Sequence, residues 1–96
     1  MLDENKIRQA RDIFLKNEYW RRLYEGLTPG AKRWYDLEFT FSDAEKVGAD
    51  KDNAADELHA YESQMSYDDL CCLLVHETNG YMRNKLKKLI VVAAER

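Results

Sequence analysis

A chain of 96 residues with a formal net charge of −3, 45% apolar and 34% charged, is long enough for one domain, 1–96, with one modest core. The apolar share excludes a disordered chain, and no apolar run approaches the roughly 20 residues that a membrane-spanning helix needs. The opening Met1-Leu2-Asp3-Glu4-Asn5 is acidic and polar, unlike a secretory signal, so a cytoplasmic protein without membrane attachment is expected.

Residues 3–26 carry the period of one long helix. Asp3 caps its start, and Ile7, Ala10, Ile13, Phe14, Trp20, Leu23, Tyr24 and Leu27 recur at spacings of three, four and seven. Gly26 fits the left-handed position that ends a helix. Thr28-Pro29 restarts the chain, with Thr28 as N-cap and Pro29 at the first helical position. Ala31, Trp34, Leu37, Phe41, Ala44 and Val47 continue the helical spacing and predict a second helix over 29–47. Two features compete there. Tyr35 to Phe41 also alternates apolar and polar residues, the period of a strand, for which Leu89 to Val92 is the only other β-rich run. Ser42 with Glu45 resembles a capping box, which places a break or kink at that point.

A polar loop, Gly48 to Asp52, leads to a third helix over 52–65 with Ala55, Leu58, Tyr61 and Met65 on its apolar side. Ser66 and Asp69 form a second capping pattern. A fourth helix follows over 67–79, carrying Leu70, Cys71, Leu73, Leu74 and Val75. Asn79-Gly80 reads as its stop. The last helix covers 81–94, with Met82, Leu86, Leu89, Ile90 and Ala93 at core spacing. The fold class expected is all-α, a compact bundle of four to five helices.

Charge is segregated along the chain. Residues 1–35 hold eight Lys/Arg against five Asp/Glu, residues 36–69 two against eleven, and residues 70–96 five against two. Basic ends that pack against an acidic middle account for this pattern, and a carboxylate face that mimics nucleic acid is the sharper alternative.

The patterns of known chemistry fail one by one. Cys71 and Cys72 are adjacent, with Cα atoms about 3.8 Å apart, closer than a disulfide spans. Asp56, His59 and Glu62 share a helix face but lack the second Glu-x-x-His pair of a di-iron bundle. Asp50-Lys51-Asp52 opens like a calcium loop, yet Ala55 and Tyr61 stand where that loop needs Gly and Glu. Cys72 and His76 lie one helical turn apart in a leucine-rich segment that favours an inert thiol. His76-Glu77 lacks a second metal-binding His, and phosphate-binding glycine motifs are missing. No enzyme activity, no metal and no cofactor is expected.

Surface recognition remains. Tyr19, Trp20, Tyr24, Trp34, Tyr35, Phe39 and Phe41 fall within 23 residues, interleaved with Arg21, Arg22, Lys32 and Arg33. One helix face cannot bury neighbours that point about 100° apart. Aromatic and Arg side chains are what interface hot spots favour. The expectation is a non-enzymatic protein-interaction module, homodimeric or bound to a protein partner, acting through Tyr19, Trp20, Arg22, Arg33, Trp34 and Tyr35. The alternative is a DNA-binding helix-turn-helix at 72–90. Val75, Tyr81, Leu86 and Leu89 would pack it, and Arg83, Asn84, Lys85, Lys87 and Lys88 would face nucleic acid. Against it stand His76, where such a motif wants a small residue, and Asn79, where it wants an apolar one.

Overall fold

The computed structural model of the chain describes residues 2–96, and every regular element among them is a helix. In chain order these are α1 (Glu4–Leu15), α2 (Glu18–Glu25), α3 (Pro29–Ser42), α4 (Ala44–Val47), α5 (Lys51–Glu62), α6 (Tyr67–His76) and α7 (Gly80–Ala94). The all-α expectation holds, but the described helices number seven because two of the long helices are broken.

The first break falls at Asn17. Its backbone is extended, and its side-chain oxygen accepts the N–H groups of Tyr19 and Trp20, so it caps α2. Asparagine competes with the helix for backbone donors in this way. The apolar period runs through unbroken because Phe14 and Trp20 both face the same core. The second break falls at Asp43, where the chain leaves α3 and makes the single turn of α4. Ser42 is the last residue of α3 and not the cap, although the kink lies where the capping pattern put it. Gly48 ends α4 at φ +70°, the left-handed region. Gly26 was expected in that region and instead sits at φ −85°.

The strand alternative over 35–41 is overturned. Both phases of its alternation are buried: Tyr35, Leu37 and Phe39 on one, Asp36 and Thr40 on the other. A half-exposed strand cannot bury both, whereas a helix covered on several sides can. Asn79-Gly80 also has a different role from the one expected. Helix α6 already stops at His76, and Asn79 caps the start of α7 by accepting the Met82 N–H.

Helix α3 is the centre. It packs against α1 on one flank and α5 on the other, with α4 and α6 covering its ends. Its own Ala31, Trp34, Leu37 and Phe39 join Ile7, Ala10, Leu58, Leu70, Leu73 and Leu86 in one apolar cluster. Two carboxylates are buried with them. Asp36 on α3 accepts hydrogen bonds from Tyr24 Oη at 3.0 Å and Arg11 Nη1 at 3.2 Å, tying α2 and α1 to α3. Glu62 at the end of α5 accepts from Trp34 Nε1 at 3.0 Å and Lys85 Nζ at 2.8 Å. The buried row of α5 is therefore Ala54, Leu58 and Glu62, one position round from the expected Ala55 side. Val75, expected in the core, is 79% exposed.

Leu73 is fully buried among these helices. Its replacement by Ala is expected to cost about 2–5 kcal/mol in denaturant unfolding. A loss within error of zero would mean that α6 does not seal the core.

Candidate functional site

A cleft of about 220 Å³ opens along α3, between α2 and the start of α7. Its walls are aromatic. Phe14 and Phe39 stack at 4.3 Å with their planes 11° apart, and Trp20 meets both edge-on at 6.0 and 5.8 Å. Tyr35 lies 6.3 Å from Trp20 and 5.7 Å from Phe39. Met82 closes the far side. The break at Asn17 builds this arrangement, because a continuous helix would carry Trp20 past Phe14 instead of turning it back over α3.

Two carboxylates line the same cleft. Glu77 is spoken for: its Oε1 accepts the N–H groups of Thr78 and Asn79, and its Oε2 accepts from Tyr35 Oη at 3.3 Å. Burial raises the Tyr35 phenol far above its ordinary value, and the adjacent Glu77 adds to the rise. Glu38 has no hydrogen-bond or ion-pair partner among the described residues. Burial raises its carboxyl above the ordinary value. Lys85 pulls it back down, and Glu62 and Glu77 push it further up. Lys85 does not answer it directly, because its ammonium is engaged by Glu62. Glu38 and Met82 also line a smaller hollow of about 180 Å³ with His59, Tyr81 and Lys85, so the groove continues beyond them.

The expected interaction residues separate into two groups. Trp34 is 1% exposed and Tyr35 is also buried, and both hydrogen-bond inward. Arg33 makes a two-pronged pair with Glu4 at 2.7 and 3.1 Å, which lowers the Glu4 carboxyl. The core thus absorbs more of the aromatic load than the sequence suggests, because α3 is covered from several directions. Tyr19, 58% exposed, and Arg22 lie at the surface, and Trp20 is half-buried between the two groups. Tyr19, Arg22, Glu18 and Leu23 line an open groove of about 560 Å³ with His76. Glu38, Glu77, Phe14 and Met82 were missed by the sequence reading. The available signal was a lone acid, Glu38, inside the apolar run Leu37 to Phe41.

Of the four packing positions expected for the helix-turn-helix, Leu86 is buried and Leu89 half-buried, and α6 and α7 pack on each other. Val75 and Tyr81, meant to join the two helices, are each 79% exposed. Arg83 Nη1 donates to the carbonyls of Leu74 and Glu77 at 2.7 and 2.8 Å, and Lys85 holds Glu62. Asn84, Lys87 and Lys88 are exposed. The eleven acidic side chains of 36–69 do not form one exposed face, since Asp36 and Glu62 are buried and Glu38 is half-buried. Among the described residues no cluster of three potential metal ligands occurs, and no helix is long and apolar enough to cross a membrane. Comparison with protein-family models, with curated proteins and with solved structures finds no match to this chain.

Glu38 gives a pH-dependent prediction with a definite sign. Its folded-state carboxyl sits above its unfolded value, so the folded chain holds that proton more tightly. The ionised form therefore costs stability at neutral pH, and the cost disappears as pH falls below the unfolded value. Glu38→Gln is expected to raise Tm at pH 7, with the gain shrinking to nothing near pH 4. A gain that grows on acidification would show that the ionised carboxylate is stabilising.

Proposed function

We propose that this chain is a non-enzymatic protein-interaction module that docks through the corner where α2 meets the end of α6. The observation that carries this reading is a pair of uncovered apolar side chains beside one open groove. Tyr19, 58% exposed, lines the groove, and Val75, 79% exposed, precedes its His76 in α6. Leu23 lines its floor and Arg22 its rim, held by Glu18 at 2.7 Å. A Tyr with an Arg beside it is what binding hot spots use, because each brings large contact area together with a polar tip. Trp20 stands behind Tyr19 with ring centroids 5.3 Å apart. The aromatic–basic surface expected from 19–41 thus contracts to Tyr19, Trp20 and Arg22. Tyr35 supports it from beneath with Trp34 behind, while Arg33 is held away from it by Glu4 of α1.

Nothing in the arrangement favours catalysis over docking. The free thiols of Cys71 and Cys72 are half-buried.

Tyr19→Ser combined with Val75→Ser is expected to leave Tm within about 2 °C, since both side chains are largely exposed. The same variant is expected to abolish association, read as sedimentation of the purified chain over a wide concentration range and as retention of a specific partner from the native host. Equal association by wild type and variant would move the interface elsewhere. A wild-type chain that stays monomeric and retains no partner would sink the reading.

A further inference from the structure

The cleft along α3 is built as if for a cation with an apolar stem. We propose that it receives one basic side chain, lysine or arginine, presented by a protein partner that docks on the neighbouring α2–α6 surface. The inference rests on the interaction-module reading and names the chemistry that the partner must bring.

Four features of the cleft point the same way. Its walls are aromatic rings and a thioether: half-buried Phe14, Trp20 and Met82 over buried Phe39. Such walls favour methylene stems, and aromatic faces attract a cation near them. Its charged groups are two carboxylates, Glu38 and Glu77, set among the neutral polar groups of Ser42, Asn79 and Tyr35. Glu77 is satisfied by Tyr35 and by two backbone N–H groups, and it contributes field without needing a donor. Glu38 lacks any donor among the described residues, so a ligand N–H would complete it. The nearest protein cation, Lys85, is fixed 2.8 Å from Glu62 and is not free to swing over. An anionic or purely apolar ligand would leave Glu38 desolvated and unanswered, which is costly.

Size suits a single side chain in the cleft proper, with the hollow of about 180 Å³ running on beside it. Pockets for drug-sized ligands run to about 300–1,000 Å³, and this cleft holds about 220 Å³. Position selects a protein as the source. Trp20, which walls the cleft, meets Tyr19, which lines the α2–α6 groove, edge-on with ring centroids 5.3 Å apart, so the two depressions are neighbours across this aromatic pair.

The carboxylate that has no partner is also the one that burial disfavours. Sites kept at a stability cost are where function tends to sit, and this gives the test its discrimination. The full-length chain is titrated with acetyl-Ala-Ala-Lys-Ala-Ala-amide and followed by NMR at the Trp20 indole N–H and the Met82 methyl. Matched peptides carry Arg, norleucine or Glu at the centre. The Lys and Arg peptides are expected to shift both reporters, more weakly as salt is raised, and the other two are not. Glu38→Gln is expected to weaken the Lys peptide by about tenfold or more while melting no lower than wild type. Equal response to norleucine, or an unchanged affinity in the Glu38→Gln chain, overturns the proposal. So does a dimer of the chain that buries the cleft and leaves no peptide response, which would assign the occupant to a second copy. If no peptide binds but a Tyr19- and Val75-dependent partner is retained, the inference fails and the module reading stands. If lysine peptides bind in a chain that retains no partner, the module reading fails and takes with it the assignment of the cation to a protein.

Discussion

Glu62 is a carboxylate only 3% exposed, and three donors from three helices reach it. Trp34 Nε1 comes from α3, Lys85 Nζ from α7, and His59 Nδ1 lies 3.1 Å away on its own helix. A buried ion pair adds little net stability, because desolvation offsets most of the attraction, yet removing one partner is expensive. Such a pair fixes position more than it adds energy. Helix α7 packs mainly on α6, and Lys85 reaching Glu62 ties it to the end of α5, where the same carboxylate accepts from Trp34 of α3. Arg83, bonded to the carbonyls at the end of α6, fixes the near end of α7, and Arg96, bonded to the Ser63 and Met65 carbonyls, fixes the far end.

The contrast between Asp36 and Glu38 shows what the site is made of. They stand two residues apart on α3 and so point about 200° away from each other. Asp36 faces the α1–α2 side, where Arg11 and Tyr24 supply donors and Thr40 Oγ1 binds its carbonyl at 2.7 Å. Burial raises its carboxyl, while the Tyr24 hydrogen bond and the Arg11 charge pull it down. Glu38 faces the α7 side, burial raises it too, and no donor answers. One carboxylate is structural because its partners are built into the fold. The other is half-buried at the cleft, with no donor from the protein.

How much of this was legible follows from what periodicity can carry. Apolar spacing found the helical segments because each buries one face, and it misjudged their breaks because Asn17 and Asp43 interrupt the backbone without interrupting the face. The caps at Asp3, Thr28 and Ser66 were legible, since each is a local bond between a side chain and a backbone N–H within three residues. Alternation at 35–41 mimicked a strand because α3 is buried around much of its circumference, which erases the polar stripe that marks a surface helix. The buried role of Glu62 was hidden for the opposite reason. An acid on a predicted helix reads as solvent-facing unless its distant partners, Trp34 and Lys85, are known. Arg22 and Tyr19 were legible as surface because nothing close in sequence covers them. Glu38 was not, because a cleft is made by elements far apart in the chain.

The segregation of charge along the sequence finds a physical account in these same contacts. The acidic middle draws one group from each basic end into a buried carboxylate: Arg11 to Asp36, and Lys85 to Glu62. Ends packed on the middle thus hold the bundle together at two points on opposite sides of α3. The middle nevertheless carries far more carboxylates than the ends can meet. Most of that surplus lies at the surface, where water screens it at little cost. At Glu38 the surplus lies inside an aromatic cleft, where water is a poorer substitute. A fold that satisfies Asp36 and Glu62 from its own chain, and leaves Glu38 between them unpaired, directs the remaining attraction outward to whatever cation can enter.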